Sequence, residues 1–382
     1  MGRMKRILLF LPDLIGGGAQ RTAINIATHL DSKKWDPLLV LGDRKGPYTS
    51  LLKPGLSTVD LQCERVRSAL RPLARAIRAH RPDLLFAPYP DADAALALAR
   101  AFARYPCPLV LRESNFRSIK GGSWGNLKNR LIRWSYHRAD RVVALSDGVR
   151  EDLIRRYGLQ ENRVVTIYNP VELDRIAAMA DQGVPEPLFA PPGMEDHLTV
   201  IGVGRLVHQK GFDLLIRAVA SLKDLRVRLI LLGEGRARDE LLQLAREMGV
   251  AERVMIPGFQ DNPYAWMRKA DLFVLSSRWE GFGHVIVEAM ASGVCVLAAR
   301  CPSGPEEIIT DGVDGRLCAP DSVEDLARSI DHLLKRPEER ARMADEARRA
   351  AARFDAKSIV RRYEAVFEEA LAGSHRPFSP PS

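Results

Sequence analysis

The sequence predicts an α/β protein made of two doubly wound, Rossmann-like domains, and three observations carry that prediction. Short apolar runs alternate with helical stretches from residue 7 to residue 168, the signature of a parallel sheet with crossover helices. The alternation lapses over VPEPLFAPPG (184–193), a proline-rich stretch without periodicity, and restarts with TVIGV at residue 199. In each half the opening strand runs into glycines ahead of a helical pattern, Gly16-Gly17-Gly18 in one and Gly202-Val203-Gly204 in the other. That order of strand, glycine turn and helix brings bare backbone close to a phosphate. The expected organisation is a first domain over 1–171, a linker over 172–197, a second domain over 198–371 and a disordered tail over 372–382.

In the first half, strand ILLFLP (7–12) precedes the helical pattern TAINIATHL. Further strands are expected near 38–41, 57–61, 84–87, 108–111, 141–145 and 164–168. Within RVRSALRPLARAIRAHRP, Arg67, Arg71, Arg75 and Arg78 recur at intervals of four, four and three and share one helix face. Leu70, Leu73, Ala74 and Ile77 then face the sheet. Pro72 marks the first turn, which leaves Arg67 just outside the helix. Asp91-Ala92-Asp93 has the spacing of a metal-binding DxD motif, but an Asp here also suits the cap of the helix AALALARAFARY, and no metal site is expected. Arg112-Glu113-Ser114-Asn115 follows PLVLR at the carboxyl end of a strand, where doubly wound sheets bind ligands. Lys128, Arg130, Arg133 and Arg138 interleave with Trp124 and Trp134, a composition that suits a membrane interface or a solvated helix with a core tryptophan.

In the second half, strand VRLILLG leads to the tight loop Gly233-Glu234-Gly235, and RVMIPGF (253–259) is the next strand. DLFVLSS, a glycine turn, a helix and VCVLAAR follow in turn. Asp321 to Glu324 reads as a capping box. The last long helix spans roughly 355–371.

Composition narrows the class. Hydrophobic content of 46% and charge of 27% are those of a soluble globular protein, and no apolar run approaches the ~20 residues of a membrane span. The apolar run Ile7–Leu11 is too short for a signal peptide and has no small-residue cleavage site after it. Five cysteines without a CxxC fit a reduced cytoplasm. Residues 1–170 carry 29 Lys and Arg against 15 Asp and Glu, whereas the rest carry 28 against 33. The basic half is expected to face an anionic partner, either a membrane surface or a lipid pyrophosphate. No zinc-finger spacing, RNP-like motif or basic zipper supports nucleic acid, so no nucleic-acid partner is expected.

The chemistry concentrates in SRWEGFGHVIVEAMASGVCVLAAR (277–300). Glu280 precedes a helix and Glu288 lies within it; between them Gly281-Phe282-Gly283 leaves N–H groups at the helix start, where a phosphate would settle. An acid on either side can grip hydroxyls flanking that phosphate. Gly204 permits close backbone approach, while Arg205 and Lys210 supply the cations that a departing diphosphate needs.

These two segments resemble the EX7E signature and the donor-phosphate motif of family 4 glycosyltransferases. The resemblance runs through residues 1–371 with the motifs in the family's order. It implies a GT-B fold, two Rossmann-like domains facing across a cleft, with the last helix crossing back to the first. It also implies metal-independent, retaining transfer of a sugar from a nucleotide sugar, without a cofactor. In this reading Glu280 holds sugar hydroxyls, Glu288 the ribose diol, and Arg205, Lys210 and the turn Gly281–His284 the diphosphate. The loop with Gly17 and Gly18 resembles the family's GG-A-E-R loop over the donor phosphates, with Gln20 in place of Glu; Gly233 would lie beneath the nucleotide and Gly258-Phe259 beside the base. Arg112 and Asn115 would lie near the acceptor, and Arg71, Arg75 and Arg78 would meet anionic lipid or an acceptor pyrophosphate.

The string CPSGP-EII-DG-x2-G is similar to the subset that adds hexosamine or galactose to lipid-linked glycans, although Arg300 and Cys295 depart from its pattern. The expected reaction is therefore hexosyl or N-acetylhexosaminyl transfer from a UDP-sugar to a lipid-linked glycan or polysaccharide. The expected place is the cytoplasm, peripheral on the inner membrane. A nucleotide-sugar epimerase on the same fold is the nearest rival. A dehydrogenase is weaker, because Arg21 interrupts GxGxxG.

Overall fold

The computed structural model describes residues 3–15, 17–63, 65–114, 125–185, 189, 197–223 and 226–373. It divides into two compact units: Met1–Pro170 with Ala356–Ser382, and Val171–Asp355.

The first unit holds a seven-stranded sheet made of β1 (Lys5–Leu11), β2 (Trp35–Leu41), β3 (Ser57–Asp60), β4 (Leu84–Ala87), β5 (Leu109–Glu113), β6 (Arg141–Ala144) and β7 (Val164–Thr166). The order is β3-β2-β1-β4-β5-β6-β7 and every pairing is parallel. Ile7 to Leu11 are buried at successive positions, so both faces of β1 are covered, as a parallel sheet requires. The order reverses between β1 and β4, which makes the carboxyl ends of those strands the ligand-binding edge of such a sheet.

The closing helix Ala356–Gly373 packs within this unit. Tyr363 and Phe367 meet Phe86 edge-on at centroid distances of 5.8 and 5.6 Å, and Phe367 meets Trp35 at 5.7 Å. Helix Leu70–His80 buries Leu73, Ala74 and Ile77 and leaves Arg71, Arg75 and Arg78 exposed. Arg67 lies before it, as Pro72 in the first turn foretold.

Two expectations need correction here. The N-cap of Pro90–Ala103 is Tyr89, not an aspartate; Asp91 and Asp93 fall inside its first turn, where they suit the positive end of the helix, and Asp91 pairs with Lys128 at 2.7 Å. The basic helix is also less uniform than its sequence. Arg78 donates to the carbonyls of Phe102 and Ala103 (2.9 and 3.0 Å) and so closes the end of the neighbouring helix. Among the described residues Arg71 and Arg75 have no such partner.

The second unit repeats the plan with β8 (Leu198–Val203), β9 (Val227–Leu232), β10 (Val254–Gly258), β11 (Leu272–Leu275), β12 (Val296–Ala299) and β13 (Arg316–Cys318). The order is β10-β9-β8-β11-β12-β13, again parallel, and it reverses between β8 and β11. Its core joins Val200, Phe212, Leu215, Leu229, Leu231 and Leu297.

The segment expected as linker contains a helix, Leu173–Ala180, which buries Ile176 and Ala180 and belongs to this unit. Only six of its eight residues are apolar and a proline-rich stretch follows, so its period was easily lost. The capping box also shifts by one residue. Ser322 is the N-cap, and its hydroxyl accepts from the Asp325 N–H at 3.1 Å. The second unit ends at Asp355, and the last helix groups with the first unit. Asn115, Trp124 and the tail from 374 onward lie outside the described residues.

Candidate active site

The site is built where the second sheet reverses, from the loops that leave β8 and β11. The loop after β8 carries Gly204, Arg205 and the short 3-10 turn His208–Lys210; the loop after β11 carries Ser276, Ser277 and Glu280. Backbone and side-chain bonds stitch the two together. The Arg278 N–H donates to Gln209 O (2.9 Å), the Gln209 amide to Trp279 O (3.0 Å), and the Ser276 hydroxyl to Lys210 O (3.0 Å). Arg278 then donates through both terminal nitrogens to Asp213, at 2.8 and 2.7 Å, and to His208 O at 2.9 Å. Burial works against the Asp213 charge, but Arg278 overrides it and holds that carboxyl below its usual value.

The product of this stitching is one ion pair. Lys210 Nζ lies 2.6 Å from Glu280 Oε1, with side chains only 14% and 9% exposed. The buried Ser277 hydroxyl donates to the same oxygen at 2.6 Å. Among the described residues nothing donates to Glu280 Oε2, so that oxygen is left for a ligand. Lys210 has three N–H donors and spends one here; two remain for an anion. Arg205, exposed one residue after Gly204, has no carboxylate partner among the described residues. Glu280 is thus a buried, oriented carboxylate rather than a residue on an open loop.

The second acid is held differently. Glu288 sits in helix His284–Ser292 and is 8% exposed. Its Oε1 accepts from the Tyr264 hydroxyl at 3.1 Å and lies 3.6 Å from His284 Nε2. Gly283 is the N-cap of this helix, whose first turn carries the positive end of the dipole. Phe282 departs from expectation: its side chain is buried edge-on against Phe354 at 5.4 Å and anchors the turn, so its ring is not open to a ligand.

Next to this loop, burial, with the Glu280 charge nearby, pushes the Cys301 thiol up to about 12. It stays protonated and is no nucleophile.

Gly233 and Gly258 bring the ends of β9 and β10 onto the Gly204 loop. The Gly233 N–H donates to Gly258 O at 2.9 Å, and a Cβ on Gly233 would fall 2.0 Å from Gly204 O. Phe259, 64% exposed, stands beside this bare backbone.

The remaining residues lie in the first unit. Gly17 is the N-cap of helix Gly18–His29 at the carboxyl end of β1. Arg112 is not open to a ligand. It is 1% exposed, donates to Pro88 O at 3.0 Å and bonds the Asn169 side chain, so it ties the end of β4 to the segment after β7. The sequence placed it near the acceptor at a strand end; the fold turns its charged tip inward to satisfy a carbonyl and an amide.

Residues 188–350 match the family described as Glycosyl transferases group 1, and residues 16–175 match that described as Glycosyltransferase Family 4. The chain is a family 4 glycosyltransferase. One relative of this family 4 glycosyltransferase, from Campylobacter jejuni, is named N-acetylgalactosamine-N,N'-diacetylbacillosaminyl-diphospho-undecaprenol 4-alpha-N-acetylgalactosaminyltransferase. It is 28% identical over 94% of this chain and 98% of its own length. The lipopolysaccharide core biosynthesis glycosyltransferase LpsE of Rhizobium meliloti is 35% identical over 56% of this chain and 59% of its own. Anabaena HepE, solved with UDP, superposes with a TM-score of 0.80 at 27% identity and covers 96% of this chain and 100% of HepE. The architecture is GT-B. Neither the epimerase nor the nucleic-acid reading finds a relative among these.

Gly211 decides how Lys210 meets Glu280. Its φ of 61° is left-handed, and a Cβ would fall 2.1 Å from Ser276 O. Gly211→Ala should cost at least about 1–2 kcal/mol from the backbone alone, with more from the clash. Thermal unfolding and UDP binding check this: both midpoint and affinity should fall, and an unchanged affinity would detach Lys210 from the ligand.

Proposed function

We propose that this glycosyltransferase moves a hexose or N-acetylhexosamine from a UDP-sugar, with retention of anomeric configuration, to a lipid-linked glycan. The observation that carries this reading is the buried Lys210–Glu280 pair, with one carboxylate oxygen and two ammonium N–H groups left to a ligand. A carboxylate and a cation so close suit a sugar hydroxyl bound next to a phosphate. The relatives' names, one a transferase acting on a diphospho-undecaprenol acceptor and another a lipopolysaccharide core transferase, support the acceptor class. HepE, solved with UDP and with UDP-glucose, supports the donor.

In the proposed reaction the bond from the anomeric carbon to the diphosphate stretches towards an oxocarbenium-like state, and negative charge grows on the leaving phosphate. Arg205, Lys210 and the amino end of helix His284–Ser292 are the groups that stabilise this charge. Glu280 accepts from sugar hydroxyls and fixes the ring. The acceptor hydroxyl attacks from the face the diphosphate leaves and passes its proton to the departing phosphate oxygen, which gives retention. These fixed cations take the part that a divalent metal plays elsewhere, so the reading includes metal independence.

The test is release of UDP from a panel of UDP-sugars, with and without polyprenyl-diphosphate glycans, in buffer containing EDTA. Release that requires both a UDP-sugar and a lipid-linked acceptor is expected; release needing added Mg²⁺ or Mn²⁺ would overturn the metal-free part. Arg205→Ala and Lys210→Ala should each lower turnover by about 2–4 kcal/mol and weaken UDP more than uridine. Equal losses for both ligands would remove the phosphate role.

The reading extends to where the enzyme works. No described helix is long and apolar enough to cross a membrane. Arg67, Arg71 and Arg75 are exposed on a first unit rich in basic residues, and this supports peripheral binding to an anionic membrane that carries the acceptor. At about 1 kcal/mol per cation, changing these three to Glu should lower liposome binding by at least about a hundredfold. Arg78 is left intact because it closes a helix. Binding should also weaken as salt rises. A triple variant that still sediments with phosphatidylserine liposomes would return these arginines to a solvated surface.

A further inference from the structure

The carboxylate at Glu288 has to meet two hydroxyls at once if it receives a ribose diol, so its plane matters as much as its position. Three rotatable bonds separate that plane from the helix backbone, and freezing such a side chain costs rotamer entropy. The helix alone does not fix it.

What fixes it comes from another element. Helix Pro263–Lys269 starts at Asn262, whose side chain accepts from the Ala265 N–H at 3.3 Å, with Pro263 in the first turn. The Asn262 amide donates to Met179 O at 2.8 Å, which fastens this start to helix Leu173–Ala180. Tyr264, second in the helix, is 4% exposed, and its neighbours Ala265, Trp266 and Met267 are buried as well. Its ring has no room to swing, and its hydroxyl donates to Glu288 Oε1 at 3.1 Å.

A buried tyrosine hydroxyl needs a partner, but any backbone carbonyl would serve that need. Here it is spent on the acid of the candidate nucleotide site. The same oxygen lies 3.6 Å from His284 Nε2.

We infer that Tyr264 is a positioning residue for nucleotide recognition: its hydroxyl holds one oxygen of Glu288 so that the carboxylate is set to receive the ribose 2′- and 3′-hydroxyls. The inference rests on the reading of Glu288 as the ribose acid. It accounts for a segment, NPYAWM, whose sequence shows only a helix start, and it makes Tyr264 a determinant of ribose over deoxyribose.

The test measures Kd by calorimetry for UDP, 2′-deoxy-UDP and 3′-deoxy-UDP with the full chain, Tyr264→Phe and Glu288→Gln. Wild type should prefer UDP over both deoxy analogues. Tyr264→Phe keeps the ring, so it should weaken UDP about tenfold and the deoxy analogues at most about twofold, within the range for one hydrogen bond to a charged group. The ratio between ligands is the readout, because a role in packing alone would weaken all three equally, and that result overturns the inference.

Glu288→Gln separates this claim from the one beneath it. If Glu288→Gln erases the preference while Tyr264→Phe keeps the wild-type ratio, Tyr264 does not position the acid. If Glu288→Gln keeps the ratio, Glu288 is not the ribose acid and both readings fall. Should Tyr264→Phe not fold, Tyr264→Met, which fills most of the volume without a donor, gives the same ratio.

Discussion

Everything in the second unit is arranged so that one lysine and one glutamate meet at the edge where the sheet order reverses. Lys210 and Glu280 come from loops that follow strands adjacent in the sheet but far apart in sequence. Bringing two side chains together across such loops and removing them from water is costly; a buried ion pair commonly returns little stability. The structure meets that cost with backbone and side-chain bonds around the pair: Arg278 to Gln209 and His208, Gln209 to Trp279, Ser276 to Lys210, and the Arg278–Asp213 fork. Such effort for a pair that contributes little to folding is explained if the pair is held for a ligand.

The same economy of place appears around it. Glycines at 204, 233 and 258 let three strand ends crowd together without side chains, which leaves backbone rather than bulk beside the pair. Phe282 fixes the turn from below, so helix His284–Ser292 sets the positive end of its dipole in a fixed direction. Protonated Cys301 lies close by without competing as a nucleophile. The chemistry left to this region is binding and charge stabilisation by fixed groups, which is the larger share of catalysis when the reaction is the departure of an anion.

Much of this was legible in the sequence, for physical reasons that can be named. Strands buried on both faces read as unbroken apolar runs, so ILLFL and LILL announced their sheets. Glu280, Glu288, Arg205 and Lys210 stood out because charged residues flanked glycine turns at strand ends. Residues whose role depends on docking were not legible. Ser277 became a partner of Glu280 only through the path of its loop, and Tyr264 reached Glu288 only because its helix packs on another. Arg112 misled for the converse reason: its place at a strand end resembled a ligand site, whereas its side chain turns inward to Pro88 and Asn169. The helix at 173–180 is hard to read because about two turns before a proline-rich stretch give little period.

The central claim is that Lys210 and Glu280 act as one unit in transfer. A double-mutant cycle on kcat/KM with Lys210→Met, Glu280→Gln and the pair together tests it most directly. If the two work as a unit, each single change should be severe and the double variant no worse than the worse single, with a coupling energy of at least about 1.5 kcal/mol. Losses that simply add would contradict the claim and return the pair to two residues that are merely neighbours.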